Sequence, residues 1–252
     1  SLHSIQFEKH WRYKINRFLK NNYPFVIHIG EGKDDTSRKE IDQLIRWNFF
    51  KRNIIGVHGV AMAERQAGSF KALVWCPASN YFLLNKTAAV DQLKNQTKIV
   101  FGTDSTLTAN WNLWDHLRLA RNTKMVSDEE LFNMLTAIPA EVWNLLHRGK
   151  IEETYDADIV VAKRKKDTKG MNAFYTLNPE DILLVLHKGN IRLLDSELYD
   201  QLNATSFMFN DFTKIYIQGV GKYVQGNLPA IMEEIKKYNP ETNFIETSGI
   251  ST

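Results

Sequence analysis

The first half of the chain alternates short apolar runs with segments of helical periodicity. Four runs have the length of buried strands and lie at residues 24–28, 53–57, 71–75 and 98–102. Apolar residues recur every three or four positions in seven other segments, which predicts helices at residues 4–21, 38–51, 61–68, 87–95, 113–121, 128–135 and 139–146. Strands that alternate with helices are typical of parallel βαβ units, so residues 1–148 are predicted to form an α/β domain.

Local signals set several boundaries in this first segment. Ser37 is predicted to cap the second helix, and Ser127 with Glu130 forms a capping-box pattern before the helix at 128–135. Pro77 is predicted to end the third strand, because proline cannot donate a hydrogen bond to a neighbouring strand.

The pattern changes near residue 149. Three β-rich segments follow, at residues 157–165, 181–195 and 213–226, and turns at 188–190 and 219–221 predict hairpins within the last two. A helix is predicted at residues 228–238. We therefore expect residues 149–252 to form a mostly antiparallel, sandwich-type segment, and we find no motif there that indicates chemistry.

Composition narrows the classes of function. The net charge is +3 and its basic residues are dispersed, apart from KRKK at 163–166, which is typical of a solvated loop; no nucleic-acid partner is expected. The single cysteine excludes an internal disulfide and fits a reducing cytoplasm. No apolar run approaches the ~18 residues of a membrane span, and no signal peptide is recognisable, so we predict a cytoplasmic protein without a membrane partner.

Each of the four predicted strands leads to residues able to form a site: His28 and Glu31 in HIGE, His58 in VHG, Cys76 with Ser79 and Asn80 in CPASN, and Asp104 in GTDS. The carboxyl ends of parallel strands share one edge of the sheet, so these residues are expected to converge. Imidazole and carboxylate groups suit Zn²⁺ or a similar divalent ion. Such an ion lowers the pKa of a bound water, an Asp accepts its proton, and a nearby Glu shuttles that proton to a leaving nitrogen.

Taken singly, these residues have simpler interpretations. A histidine at a strand end is usually structural, Asp104 alone resembles a helix cap, and Cys76 resembles a small buried hydrophobe. The other histidines are interpreted as structural or surface residues: His3, His10, His116, His147 and His187. The four strand ends in chain order favour a joint site over four separate structural roles.

The motifs HIGE, VHGVAM, WCPASN and IVFGTDS resemble the metal-dependent amidohydrolase superfamily, over about residues 25–161. The similar branch contains chlorohydrolases, aminohydrolases, cytosine and guanine deaminases, and imidazolonepropionases. The resemblance implies a (β/α)₈ barrel with an added β-sandwich. This chain would supply strands five to eight, the C-terminal half of a TIM-like barrel, followed by the sandwich segment.

The resemblance also implies roles for individual residues. His28 would be the metal ligand from the fifth strand, with Glu31 beside it as the proton shuttle. His58, from the sixth strand, would hold the attacking water or substrate in single-metal members and ligate the second ion in two-metal members. Asp104, from the eighth strand, would ligate the metal and activate its water. The metal would be zinc, with iron or another divalent ion as alternatives; Ser79 and Asn80 receive no role.

One departure from the family pattern limits the prediction. The family's first strand supplies a His-x-His pair, and this sequence contains none. Together with a start that lacks Met, this suggests a fragment of a hydrolase that acts on non-peptide C–N bonds of small cyclic amides, amidines or amines, inactive by itself. The alternative is a non-catalytic truncated module that folds or acts only by oligomerisation or complementation. A half barrel leaves two strand edges unpaired, which favours a homo-oligomer or pairing with the missing N-terminal half.

Overall fold

The chain divides into two units, Ser1–Lys150 and Ile151–Thr252. A computed structural model describes residues 4–17, 23–205 and 207–241. The first unit carries a parallel sheet and the second an antiparallel sheet. This mixed α/β architecture agrees with the fold class predicted from the sequence.

Four strands form the sheet of the first unit: β1 (Phe25–Ile29), β2 (Ile54–His58), β3 (Ala72–Trp75) and β4 (Lys98–Phe101). They pair in the order β1-β2-β3-β4, and every pair is parallel. The register places Ile29 beside His58 and Trp75 beside Phe101. The carboxyl ends of all four strands therefore lie at one edge of the sheet.

The helices of this unit are short. They are α1 (Trp11–Ile15), α2 (Asp35–Trp47), α3 (Glu64–Ala67), α4 (Pro77–Leu84), α5 (Val90–Leu93), α6 (Leu113–Asn122), α7 (Asp128–Asn133) and α8 (Ala137–Val142). Between the sheet and α8, a buried cluster of small aliphatic side chains joins Ile55, Ala72 and Val100 to Val142. Branched side chains suit such a surface because they pack well on the pleat.

The caps of these helices confirm one prediction and correct another. Ser127 and Glu130 form the capping box that was predicted for α7. The cap of α2 is Asp34, and the prediction of Ser37 was wrong: the Ser37 N–H donates to Asp34 Oδ1 at 2.8 Å. Asp34 is extended and precedes the first turn, so its carboxylate reaches that N–H, whereas Ser37 already lies inside the helix.

Two further boundaries differ from the prediction. β3 ends at Trp75, and Pro77 begins α4, a helix that was not predicted; proline suits this position because a first-turn residue of a helix needs no N–H partner. Of the helix predicted at residues 4–21, only Trp11–Ile15 is helical in the described part, and residues 18–21 lie outside the described residues.

The outer edge of β4 is partly covered by its own chain. The Phe101 N–H donates to the Met134 carbonyl at 3.0 Å, whereas the next residue, Gly102, donates inward to the Trp75 carbonyl. β1 and β4 are the outer strands of the four-stranded sheet, so neither is paired with a further strand at its outer edge, and Met134 supplies one acceptor to β4. The segment that links α7 and α8 approaches closely enough to supply one acceptor.

The second unit contains five strands: β5 (Ile159–Ala162), β6 (Ile182–His187), β7 (Asn190–Asp195), β8 (Phe212–Ile217) and β9 (Val220–Gln225). They pair antiparallel in the order β5-β6-β7-β9-β8. In the described part of this unit, three α-helices accompany them: α9 (Gly170–Tyr175), α10 (Tyr199–Asn203) and α11 (Leu228–Tyr238). The helix α11 matches its prediction, whereas α9 and α10 were not predicted.

Both hairpin turns place two consecutive residues at positive φ, namely Lys188 and Gly189, then Gln218 and Gly219. These are the conformations of a type I′ turn, whose twist matches that of the flanking strands. The second turn lies one residue before its predicted position. None of the helices in the described part of the chain is long and apolar enough to cross a membrane.

Candidate functional site

Sharp changes of backbone direction mark the edge where the parallel strands end. Gly30, His58 and Asp104 have φ values of +57°, +71° and +61°. A Cβ on Gly30 would lie 2.5 Å from Ile41 Cδ1 of α2, so a larger residue there would strain the backbone and displace the Ile41 side chain. Non-glycine residues in this region cost about 1–3 kcal/mol each and cluster at functional sites.

His58 lies at the centre of the candidate site and is only 2% exposed. Its Nε2 atom is 3.7 Å from Glu31 Oε1 and 4.0 Å from Asp104 Oδ2. The ring of His28 lies beside it, with centroids 5.4 Å apart and planes tilted by 33°. The structure thus brings together the four residues that the sequence singled out at three of the strand ends.

Asp104 is held by hydroxyl groups. The Ser79 hydroxyl donates a short hydrogen bond to Asp104 Oδ2, and the Thr108 hydroxyl donates to the same oxygen at 3.4 Å. Burial by itself raises the pKa of Asp104, but hydrogen bonds from the Ser79 hydroxyl and the Ser105 backbone are among the contributions that hold the pKa below its usual value. Asp104 is therefore an ionised carboxylate at neutral pH.

Cys76, the residue after β3, is 2% exposed beside the same carboxylates. Burial, followed by the negative charges of Asp104 and Glu31, raises the pKa of the thiol to about 12. A thiol with such a pKa is a poor nucleophile at neutral pH, which agrees with the interpretation of Cys76 as a small buried hydrophobe.

Behind His58, a buried amide and hydroxyl fix its position. His58 Nδ1 lies 2.8 Å from Asn80 Oδ1, and Asn80 Nδ2 donates to Thr87 Oγ1 at 3.1 Å. Trp75 Nε1 donates to the same Thr87 oxygen at 2.7 Å. Sequence reasoning named Ser79 and Asn80 without a role and missed Thr87, which no motif marks.

The donor groups suit a divalent ion in kind but do not form a complete site. Two imidazoles and two carboxylates are the ligand types that zinc and iron share, and the Asn80 contact on the far nitrogen of His58 is the usual support of a metal-binding histidine. Within residues 4–17, 23–205 and 207–241, however, no three His, Cys, Asp or Glu side chains are placed as a ready set of ligands.

Comparison with known proteins establishes the family of the chain. The sequence profile of the Amidohydrolase family matches residues 14–192, and the chain belongs to this family. A curated relative, the 5-methylthioadenosine/S-adenosylhomocysteine deaminase of Caldicellulosiruptor saccharolyticus, is 23% identical over 205 residues, covering 70% of this chain and 48% of the relative. The chain thus spans about half the length of the curated relative it matches.

Solved structures show the same fold. A triazine hydrolase variant superposes with a TM-score of 0.61 at 19% identity, over 75% of this chain and 48% of that one. A mutant of the atrazine chlorohydrolase of Arthrobacter aurescens TC1, complexed with zinc and atraton, gives a TM-score of 0.59 at 17% identity over the same shares. An amidohydrolase from Thermotoga maritima gives 0.51 at 20% identity, over 69% of this chain and 44% of that one.

Proposed function

We propose that this chain is the C-terminal half of a metal-dependent hydrolase that cleaves non-peptide C–N bonds, by deamination or by opening a cyclic amide or amidine. Membership of the Amidohydrolase family and similarity to a deaminase support hydrolysis of C–N bonds in general. The observation that carries the proposal is the convergence of Glu31, His58 and Asp104 at the carboxyl edge of the parallel sheet. In this proposal β1 to β4 are strands five to eight of a barrel.

The metal would be held by His28, His58 and Asp104. Zinc fits these ligands, with iron as the alternative, and a relative's structure contains zinc. When bound, such an ion supplies a water whose pKa is lowered towards neutrality.

The chain's own groups would move the proton. Asp104 is ionised, so it is able to accept a proton from the attacking water. Glu31 Oε1 lies 3.7 Å from His58 Nε2 and the Glu31 side chain is 37% exposed, so it is able to carry a proton from the site to a leaving nitrogen. The buried Nε2 atom of His58 would orient the water or the substrate between the two carboxylates.

We further propose that this half is inactive by itself. The relatives' additional length leaves room for a complementary N-terminal half, and the described residues contain no complete ligand set. The small-molecule substrate, a cyclic amide or amine, would then bind only after pairing with that half or in a homo-oligomer. The alternative is a non-catalytic truncated module that folds or acts only by oligomerisation or complementation.

The experiment compares ammonia release from a panel of aminated purines, pyrimidines and triazines by two proteins. One is the 252-residue chain, and the other is the full-length product of the same gene, which we expect to include a His-x-His segment. We expect chelator-sensitive hydrolysis only from the longer protein, and its loss in Glu31→Gln. Hydrolysis by the 252-residue chain alone would contradict the half-site proposal, and hydrolysis insensitive to chelators would contradict the metal-dependent mechanism.

A further inference from the structure

A buried row of hydrogen bonds connects the indole of Trp75 to the imidazole of His58. Trp75 Nε1 donates to Thr87 Oγ1 at 2.7 Å, Asn80 Nδ2 donates to the same oxygen at 3.1 Å, and Asn80 Oδ1 lies 2.8 Å from His58 Nδ1. The four residues are between 0% and 4% exposed. Bulk water therefore does not compete for these hydrogen bonds.

The direction of this row determines which ring nitrogen of His58 carries hydrogen. An indole N–H only donates, so it occupies one lone pair of the Thr87 hydroxyl. With its amide nitrogen on Thr87, Asn80 presents its oxygen to His58, and an amide oxygen only accepts. In this arrangement His58 Nδ1 carries the hydrogen, which leaves Nε2 unprotonated and directed towards Glu31 and Asp104.

We propose that Asn80, anchored by Thr87 and Trp75, is a positioning residue that fixes His58 in its Nδ1–H tautomer and fixes the orientation of the ring. The use of this tautomer rests on the proposed function, because a bare Nε2 is what a divalent ion or a water proton requires. The tautomer itself does not depend on any bound group. It follows from the placement of the Asn80 amide nitrogen on the Thr87 hydroxyl.

The opposite arrangement is well defined. If the Asn80 amide were turned over, its nitrogen would donate to His58 Nδ1 and its oxygen would accept from the Thr87 hydroxyl. His58 would then carry hydrogen on Nε2 and present a donor to the two carboxylates. The two arrangements have the same heavy-atom positions apart from the exchange of nitrogen and oxygen, so the tautomer of His58 distinguishes them.

The test is ¹⁵N nuclear magnetic resonance of the histidine-labelled 252-residue chain, free of metal and in alkaline buffer. The signals of His58 are assigned by comparison with His58→Gln. Long-range proton–nitrogen correlations separate the two tautomers because a bare ring nitrogen and a protonated one resonate far apart. We expect a single Nδ1–H tautomer in the wild-type chain, and an Nε2–H tautomer or an equal mixture would overturn the proposal.

Three variants test the anchor. Thr87→Val should give a mixture of the two His58 tautomers. Thr87→Ser, which retains the hydroxyl, should keep the single Nδ1–H tautomer. Thr97→Val is the matched control, since Thr97 is also buried and its hydroxyl donates to the Phe70 carbonyl at 2.8 Å, away from His58. A pure Nδ1–H tautomer in Thr87→Val, or the same mixture in Thr97→Val, would overturn the role of Thr87.

The wild-type spectrum decides the tautomer even if a variant does not fold, and thermal unfolding of each variant identifies that case. Neither metal nor substrate enters the measurement. A tautomer other than Nδ1–H would therefore refute the role of Asn80 without contradicting the proposed hydrolase function. Conversely, a failure to detect hydrolase activity would not change the tautomer that the spectrum shows.

Discussion

Lys222 of the second unit is fully buried, and its removal should destabilise the antiparallel sheet strongly. The Nζ atom donates to Asp195 Oδ2 at 2.5 Å, to the Glu180 carbonyl at 2.7 Å and to the Ile182 carbonyl at 2.6 Å. Lys222 and Asp195 are paired directly across β9 and β7, and Asp195 is 6% exposed. Lys222→Met would leave that carboxylate buried without its cation.

The expected cost of Lys222→Met is about 3–5 kcal/mol, because breaking one side of a buried ion pair leaves an uncompensated charge. Asp195→Asn should cost less, about 1–3 kcal/mol, since Lys222 keeps two carbonyl acceptors. The double variant should recover at least about 2 kcal/mol of the summed costs, because it removes both charges. Asp195→Asn retains the oxygen that accepts from the Glu197 N–H, so the local cap survives.

The assay is hydrogen exchange of the amides of β7 and β9. The expected free-energy change corresponds to a loss of protection of more than about 100-fold. Tryptophan fluorescence reports separately on the first unit, which contains all six tryptophans. Lys163→Met is the control, because the Lys163–Glu197 pair is exposed and its loss should leave protection unchanged. Equal protection in Lys222→Met and Lys163→Met would refute the reasoning.

The remaining predictions concern the first unit. Gly30→Ala should destabilise the first unit in chemical unfolding by about 1–3 kcal/mol more than Gly170→Ala destabilises the second unit. Both glycines have positive φ, but only at Gly30 would the added Cβ meet a neighbouring side chain. Equal destabilisation by the two substitutions would contradict this steric contact. Cys76, with its raised pKa, should react with an aromatic disulfide at least about 100-fold more slowly in the native than in the unfolded chain, and comparable rates would contradict its burial. Hydrogen bonds from Lys94 and from the cap of α7 lower the pKa of Glu130 below its usual 4.5, so the stability it contributes is fully present above pH 4.5 and is lost as the pH falls through the folded-state pKa. Glu130→Gln should reduce the loss of thermal stability that the chain shows as the pH falls below 4.5. The same loss of stability in the variant and in the wild type would contradict this role of Glu130.

The sequence was sufficient for the parallel strands and for the residues at their ends. Apolar runs of strand length are followed by His28, His58 and Asp104, and parallel pairing then places these ends at one edge. This inference needs only the local pattern and the common direction of the strands. The prediction of a mixed α/β fold depended on the same two facts.

Other features depend on contacts that no local pattern contains. Thr87 reaches Asn80 and Trp75 only because α4 and the following loop fold back behind β3. Lysine is normally exposed, so the burial of Lys222 becomes favourable only where tertiary structure supplies three acceptors. The contact between Phe101 and Met134 likewise joins residues that are distant in the sequence.

Zinc binding to the 252-residue chain tests the central claim most directly, because it asks whether the strand ends form part of a metal site. In calorimetric titration we expect weak binding of one zinc ion, which is lost in His28→Ala and in Asp104→Ala. His187→Ala is the matched control, since His187 is paired with Asp158 in the second unit and should not contribute. Zinc binding that survives both site substitutions, or that His187→Ala abolishes, would contradict the account.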